Sequence, residues 1–186
     1  LNPLVGDVSG NADKLISIRS KLNSEVDLLV APELYISGYP IDDLVVREDF
    51  LNLVESAIKR LVEHSKNGRS AIIFGAPRKD KKVIKNSVYV IENGKIVDIK
   101  DKYELPNTGV FDEQRIFTEG ELEGCVKIKD INFALPICED IWEKTVLDKQ
   151  SKSGAEIIIS INASPFTLSK SFERDQITLS RVKESN

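Results

Sequence analysis

Runs of apolar residues alternate with amphipathic stretches along the chain, and the alternation lays out a layered fold. VDLLVAPE (26–33) and SAIIFGAP (70–77) are short, β-branched and apolar, the pattern of strands buried on both faces. NSVYVIENGKIVDIKDK (86–102) carries Asn93-Gly94 between two alternating segments, a strong hairpin signal. CVKIKDINFALPIC (125–138) predicts a strand pair turning near Asp130, and AEIIISINAS (155–164) one more buried strand. Four helices fall between and after them. Asn11 is placed to cap the first, with Leu15, Ile18 and Leu22 on one face. In the second, from Arg47 to Asn67, Phe50, Val54, Ala57, Ile58 and Leu61 keep helical spacing, and Gly68 ends the run. The third spans about Glu143 to Ser153 and stops at Gly154; the last spans about Ser169 to Lys183, with Phe172, Gln176 and Ile177 along it. The charged run KDKK (79–82) is expected to be a solvated loop before the hairpin.

There are no internal repeats, low-complexity tracts or linkers, so residues 1–186 are expected to form a single domain of the α/β or layered α+β class. Hydrophobic residues make up 41% and charged residues 30%, the balance of a soluble globular chain. A net charge of −4 argues against a nucleic-acid partner, and no apolar run approaches the ~20 residues of a membrane span. Two cysteines do not make a disulfide framework, so a reducing, cytoplasmic setting is expected. The sequon Asn162-Ala163-Ser164 is followed by Pro165, and nothing else suggests secretion. The chain starts at Leu1, contains no methionine and reads as a piece of something longer.

Candidate chemistry collects at predicted strand ends, where ligands gather in open sheets. Glu33 ends the first strand, Lys102 the hairpin, Cys138 the third candidate, and Asn162 and Ser164 the last. Each has a bland alternative: Cys138 as a small core residue, Glu33 as a cap on the backbone that follows it, Lys102 as one more solvated lysine. Together they assemble the parts of a cysteine hydrolase. A thiol nucleophile needs a base and donors for the oxyanion. The one histidine, His64, sits near a helix end as a surface residue, which argues against a zinc site or a Ser-His-Asp triad. A carboxylate in an apolar pocket can serve as the base instead.

APELYISGYP (31–40), KYELPNTGVFDEQRIF (102–117) and LPICEDIW (135–142) resemble the nitrilase superfamily of carbon–nitrogen hydrolases, and within it the glutaminase domains of glutamine-dependent NAD+ synthetases. The resemblance implies a four-layer α-β-β-α sandwich, here incomplete at both ends. Carried over residue by residue, it makes Cys138 the nucleophile, Glu33 the general base and Lys102 the electrostatic partner of the tetrahedral intermediate, with the Glu139 N–H beside it. Glu139 would face the substrate α-amino group, and Lys170 would meet its α-carboxylate. Glu113 would be a second, supporting glutamate or else a solvated loop acid. Tyr39, Trp142 and Ser164 would line the pocket. Thr108 stands where the family usually has tyrosine, which loosens the expectation of glutamine specificity. The implied substrate is L-glutamine, cleaved through a thioester with release of ammonia and no metal. The ammonia would feed an ATP-dependent synthetase module in the same polypeptide; ATP, Mg2+ and the NAD precursor would belong to that module alone, since no SGGxDS-like phosphate loop occurs in these residues. A homo-oligomer is also implied. The alternatives are a stand-alone amidase acting on another small amide, and a non-catalytic scaffold.

Overall fold

The computed structural model describes residues 2–22, 25–109, 111–168 and 170–185. Ser169, where the last helix is expected to begin, and Val110, inside GVFDE, fall outside them. Helix α1 spans Val8–Leu22 and α2 spans Glu48–Ser65. Four strands, β1 (Leu28–Val30), β2 (Ala71–Asp80), β3 (Val83–Glu92) and β4 (Lys95–Asp101), form one sheet in sequence order. β1 runs parallel to β2, and β2, β3 and β4 are successively antiparallel. A one-turn helix, α3 (Glu113–Ile116), follows. The second sheet has the order β5 (Val126–Ile128), β6 (Ile131–Ala134), β7 (Ile157–Ile158), with β5 antiparallel and β7 parallel to β6. Helices α4 (Thr145–Lys152) and α5 (Lys170–Glu184) flank β7 in sequence.

The period of two along β2 fixes how the layers stack. Ile72, Phe74 and Ala76 point to one face, where Tyr89 and Ile91 of β3 join them against α1 and α2. Ala71 and Ile73 point to the other, with Val88 and Val90, against Val126, Ile128, Phe133 and Leu135 of the second sheet. Ala134, on the far side of that sheet, packs with Ile141 and Leu147 of the α4 layer. The order is helix, sheet, sheet, helix, the predicted four-layer sandwich. β2 and β3 are apolar on both faces because both faces are covered. Among the described residues, no helix is long and apolar enough to cross a membrane.

Several local expectations are corrected. Asn11 does not cap α1: Asp7 Oδ1 accepts the Gly10 N–H at 3.0 Å, as an N-cap does. Asn11 instead sits one turn in, buried, and ties the Leu4 main chain to the Ile36 carbonyl. The inward stripe is Val8, Ala12, Leu15 and Arg19, leaving Ile18 and Leu22 half-buried. Within KDKK only Lys81 and Lys82 form the turn; Lys79 and Asp80 are strand, paired with Ile84 and Val83. The strands predicted at 26–33 and 155–164 shrink to three and two residues. His64 is half-buried, its ring 3.0 Å from Ser20 Oγ and 3.3 Å from the Arg19 guanidinium. Burial and Arg19 together push its pKa down. The Asn93-Gly94 hairpin and the turn at Lys129-Asp130 form as predicted, with positive φ at all four residues.

Candidate active site

Glu33 lies three residues beyond β1, on a segment that crosses over β2 at Gly75. A Cβ on Gly75 would stand 2.2 Å from the Leu34 nitrogen and 2.6 Å from the Glu33 Cα, so only glycine permits the crossing. The Gly75 N–H bonds the Pro32 carbonyl at 3.0 Å, and Leu34 takes a positive φ of 47°. The result is a carboxylate buried to 2% exposure.

Lys102 follows β4 directly. Its N–H donates to the Asn86 carbonyl of β3 at 2.8 Å, which continues the β3–β4 ladder by one rung. Its Nζ, fully buried, is 2.7 Å from Glu33 Oε1 and 2.9 Å from Glu113 Oε2. Glu113 is therefore a buried partner of Lys102 rather than a solvated loop acid, and Tyr39 Oη donates to its Oε1 at 3.1 Å. Burial would pull the Lys102 pKa down, but Glu33, Glu113 and Cys138 outweigh it and the ammonium is held firmly protonated. Burial pushes the Glu113 carboxyl up against the opposing pull of Lys102. One cation thus stands between two carboxylates. Among the described residues, no group of three or more His, Cys, Asp or Glu could hold a metal ion.

Cys138 sits four residues beyond β6, where LPI carries the chain on beside the 158–161 segment. Its N–H bonds the Ile161 carbonyl at 2.9 Å, and it takes a positive φ of 48° as it opens the 3-10 turn Cys138–Ile141. A non-glycine residue in that conformation is strained, and such strain concentrates at functional positions. The Sγ lies 3.2 Å from Ser164 Oγ. The N–H of the preceding residue, Ala163, bonds Glu33 Oε2 at 3.0 Å. Burial, and next the Glu33 charge, push the thiol up to about 12, against Lys102 and the Ser164 hydroxyl. The resting sulfur is a neutral thiol.

The two acids after the cysteine part ways. Glu139 is half-buried and lines a pocket of about 300 Å3 together with Thr108, Phe111, Trp142, Ser164, Lys170 and Arg174. Asp140 turns inward and is 2% exposed. Its Oδ1 accepts the N–H groups of Tyr103 and Glu104, just after Lys102, and its Oδ2 accepts that of Ile137, just before Cys138. It fastens the lysine loop to the cysteine turn.

The structure thus brings Glu33, Lys102, Glu113, Cys138 and Ser164 together and sets Thr108, Glu139, Trp142 and Lys170 around the adjoining pocket. Lys170 Nζ stands 4.6 Å over the Trp142 ring and 3.3 Å from Glu173. Tyr39 is not on that pocket's wall; it stands behind Glu113, its ring 6.2 Å from that of Phe111. Asn162 turns back on Ser160 and takes no part. Sequence reasoning missed Asn86, Asp140 and Arg174. A polar pair, Asn86-Ser87, at the head of the apolar run VYVI was the available signal for the first. Asp140 was hidden among neighbouring acids, and Arg174 was one of many charges on an exposed helix.

Residues 1–181 match the carbon–nitrogen hydrolase family. Glutamine-dependent NAD(+) synthetase of Aquifex aeolicus is 33% identical over 186 residues, all of this chain and 33% of that protein. The Thermotoga maritima protein of the same name is 37% identical over 174 residues, 91% of this chain and 30% of its own length. The chain thus spans about a third of these relatives. The structure of glutamine-dependent NAD+ synthetase from Acinetobacter baumannii superposes with a TM-score of 0.87 at 29% identity, over 98% of this chain and 34% of that one. An amidase of the nitrilase superfamily from Nesterenkonia AN1 superposes with a TM-score of 0.86 at 16% identity, covering 99% of this chain and 70% of its own; this likeness is one of fold.

Proposed function

The chain belongs to the carbon–nitrogen hydrolase family, and from that premise we propose that it hydrolyses the side-chain amide of L-glutamine through a thioester on Cys138. The observation that carries this reading is the buried Lys102 ammonium held between the Glu33 and Glu113 carboxylates beside the Cys138 thiol. Because the thiol is neutral at rest, attack requires a base, and Glu33 is that base. As its proton passes to Glu33, the sulfur adds to the amide carbon. Lys102, with the Glu139 N–H, stabilises the oxyanion. The protonated Glu33 then returns its proton to the nitrogen as the C–N bond breaks and ammonia leaves. Water repeats the sequence: Glu33 takes its proton, the oxygen adds to the thioester carbon, and Glu33 returns the proton to the sulfur as the C–S bond breaks, freeing glutamate and restoring the thiol. Glu113 and Tyr39 hold Lys102 in place.

Support for an amino-acid amide comes from the pocket wall. Glu139 offers a negative charge for an α-amino group; Lys170 and Arg174 offer positive charges for an α-carboxylate. The names of the relatives add a destination for the ammonia, an ATP-dependent synthetase module, where ATP, Mg2+ and the NAD precursor would bind. A simple aliphatic amide is the rival substrate. Turnover of glutamine against acetamide and propionamide tests it, with glutamine expected to be favoured by about 100-fold or more on the strength of two charged contacts. Cys138→Ala should lower glutamate release by roughly 10^4-fold or more. Undiminished release from that variant rules the thioester out.

A further inference from the structure

Asn86 is a polar residue in the interior of the first sheet, 1% exposed. Its main-chain carbonyl holds the Lys102 N–H, and its side-chain Nδ2 donates to Glu33 Oε1 at 2.8 Å. Lys102 Nζ donates to the same oxygen at 2.7 Å. Oε1 therefore spends both in-plane lone pairs on two donors, one of them cationic. Among the described residues Oε2 accepts a single hydrogen bond, from the N–H of Ala163, the neighbour of Ser164, whose hydroxyl lies 3.2 Å from the Cys138 sulfur. The two carboxylate oxygens are unequal: one is saturated and turned to the lysine, the other keeps a lone pair open and is tied to the 163–164 segment that meets the cysteine. Asn86 adopts this orientation at the expense of its own Oδ1, which is buried without a hydrogen-bond partner. Only the NH2 end can face a carboxylate, so the amide has no second choice.

We infer that Asn86 is a positioning residue that, by saturating Glu33 Oε1, makes Oε2 the atom that takes the Cys138 proton. The inference rests on the glutamine hydrolysis proposed above. In the step it governs, the S–H bond breaks, the sulfur keeps the electron pair and forms the S–C bond, and the proton moves to Oε2. It leaves Oε2 for the amide nitrogen when the C–N bond breaks. The other charged or titratable groups facing Glu33 are Lys102, Glu113, Cys138 and the Tyr39 phenol.

The test compares Asn86→Asp and Asn86→Ala with the parent chain in two pH profiles: kcat/KM for glutamine, and the rate of Cys138 alkylation by iodoacetamide, which needs no substrate. In Asn86→Asp a second carboxylate meets Oε1 and the pair shares one proton. The acid limb of both profiles should move to higher pH by about one unit or more, with kcat at neutral pH down about tenfold and KM nearly unchanged. Asn86→Ala, which loses a donor to the ionised form, should move the limb the same way by less. Rates that fall equally at every pH, with the limb in place, would mean that Asn86 only supports the fold, and would overturn the inference. If Asn86→Asp loses its native circular dichroism, the limb of Asn86→Ala decides. Should the parent chain fail to hydrolyse glutamine, the hydrolysis reading falls by itself, and the alkylation profile still decides what Asn86 does to the thiol.

Discussion

Among the described residues two cations, Arg19 and Lys102, are buried to 1% exposure, and they are held in opposite ways. Arg19 of α1 spreads its guanidinium over main-chain carbonyls: His64 at 3.0 Å, Asn67 at 2.9 Å and Ser70 at 3.0 Å, with Ser65 at 3.4 Å. These are the loose carbonyls at the end of α2 and the entry to β2, and one planar fork collects them. Burial pulls the Arg19 pKa down, and the carbonyls around it use only its donors. Lys102 meets carboxylates instead, and there are two of them for one ammonium. Neutral acceptors around a buried cation make a joint. An excess of acid around a buried cation makes a site that can take and return a proton, because one carboxylate has a charge to spare.

The largest expected effect breaks the second arrangement. Lys102→Met leaves Glu33 and Glu113 buried without a counter-ion, and unfolding in urea should show a loss of about 3–5 kcal/mol. The glutamine hydrolysis proposed for the site should vanish in the same protein, even at temperatures where it remains folded. Arg19→Leu is the matching cut in the joint. It strands several carbonyls, some able to find water, for a net loss of roughly 3 kcal/mol. Turnover per folded molecule should stay at the parent level. If Arg19→Leu reduces kcat as Lys102→Met does, the two clusters are not separable and the contrast drawn between them fails.

How much of this could be read from the sequence follows from the same contrast. The layers were legible because VDLLVAPE, SAIIFGAP and the Asn-Gly hairpin write their burial and their turns into local residue choice. The site's poles, Glu33, Lys102 and Cys138, were legible because each stands at the end of a predicted strand or hairpin, and because the motifs around them resemble a known family. What joins the poles was not. Asn86 reaches Glu33 across 53 residues of chain, and Asp140 reaches Glu104 across 36. Such contacts are properties of the closed fold, and no window along the chain contains them. The cap of α1 was misplaced for a smaller reason: Asp7 and Asn11 are both competent caps, four residues apart, and the choice depends on Asn11 having a better use inside. The strand ends were overdrawn because LPIC and the 158–161 segment continue strand-like conformation without regular pairing.

Asp140 sharpens the comparison from the acid side. It is the mirror image of Arg19, a buried charge held by neutral main-chain groups, yet it stands beside the reactive cluster. Burial pushes its carboxyl from 3.8 up to about 7, while the Glu104 and Ile137 N–H groups, Lys102 and the Tyr103 N–H hold it down. A group whose folded pKa lies above its unfolded one stabilises the fold fully below the unfolded value, and that contribution is lost as pH rises through the folded value. The Asp140 contribution should therefore be intact near pH 4 and mostly gone above pH 7. Other acids titrate over the same range, so the useful quantity is the difference in unfolding free energy between the parent and Asp140→Asn. That difference should move against the parent between pH 5 and pH 8, by about 1 kcal/mol or more. Movement in the parent's favour would mean that the N–H donors outweigh desolvation, and that Asp140 is a permanently ionised clasp, as fixed in its charge as Arg19.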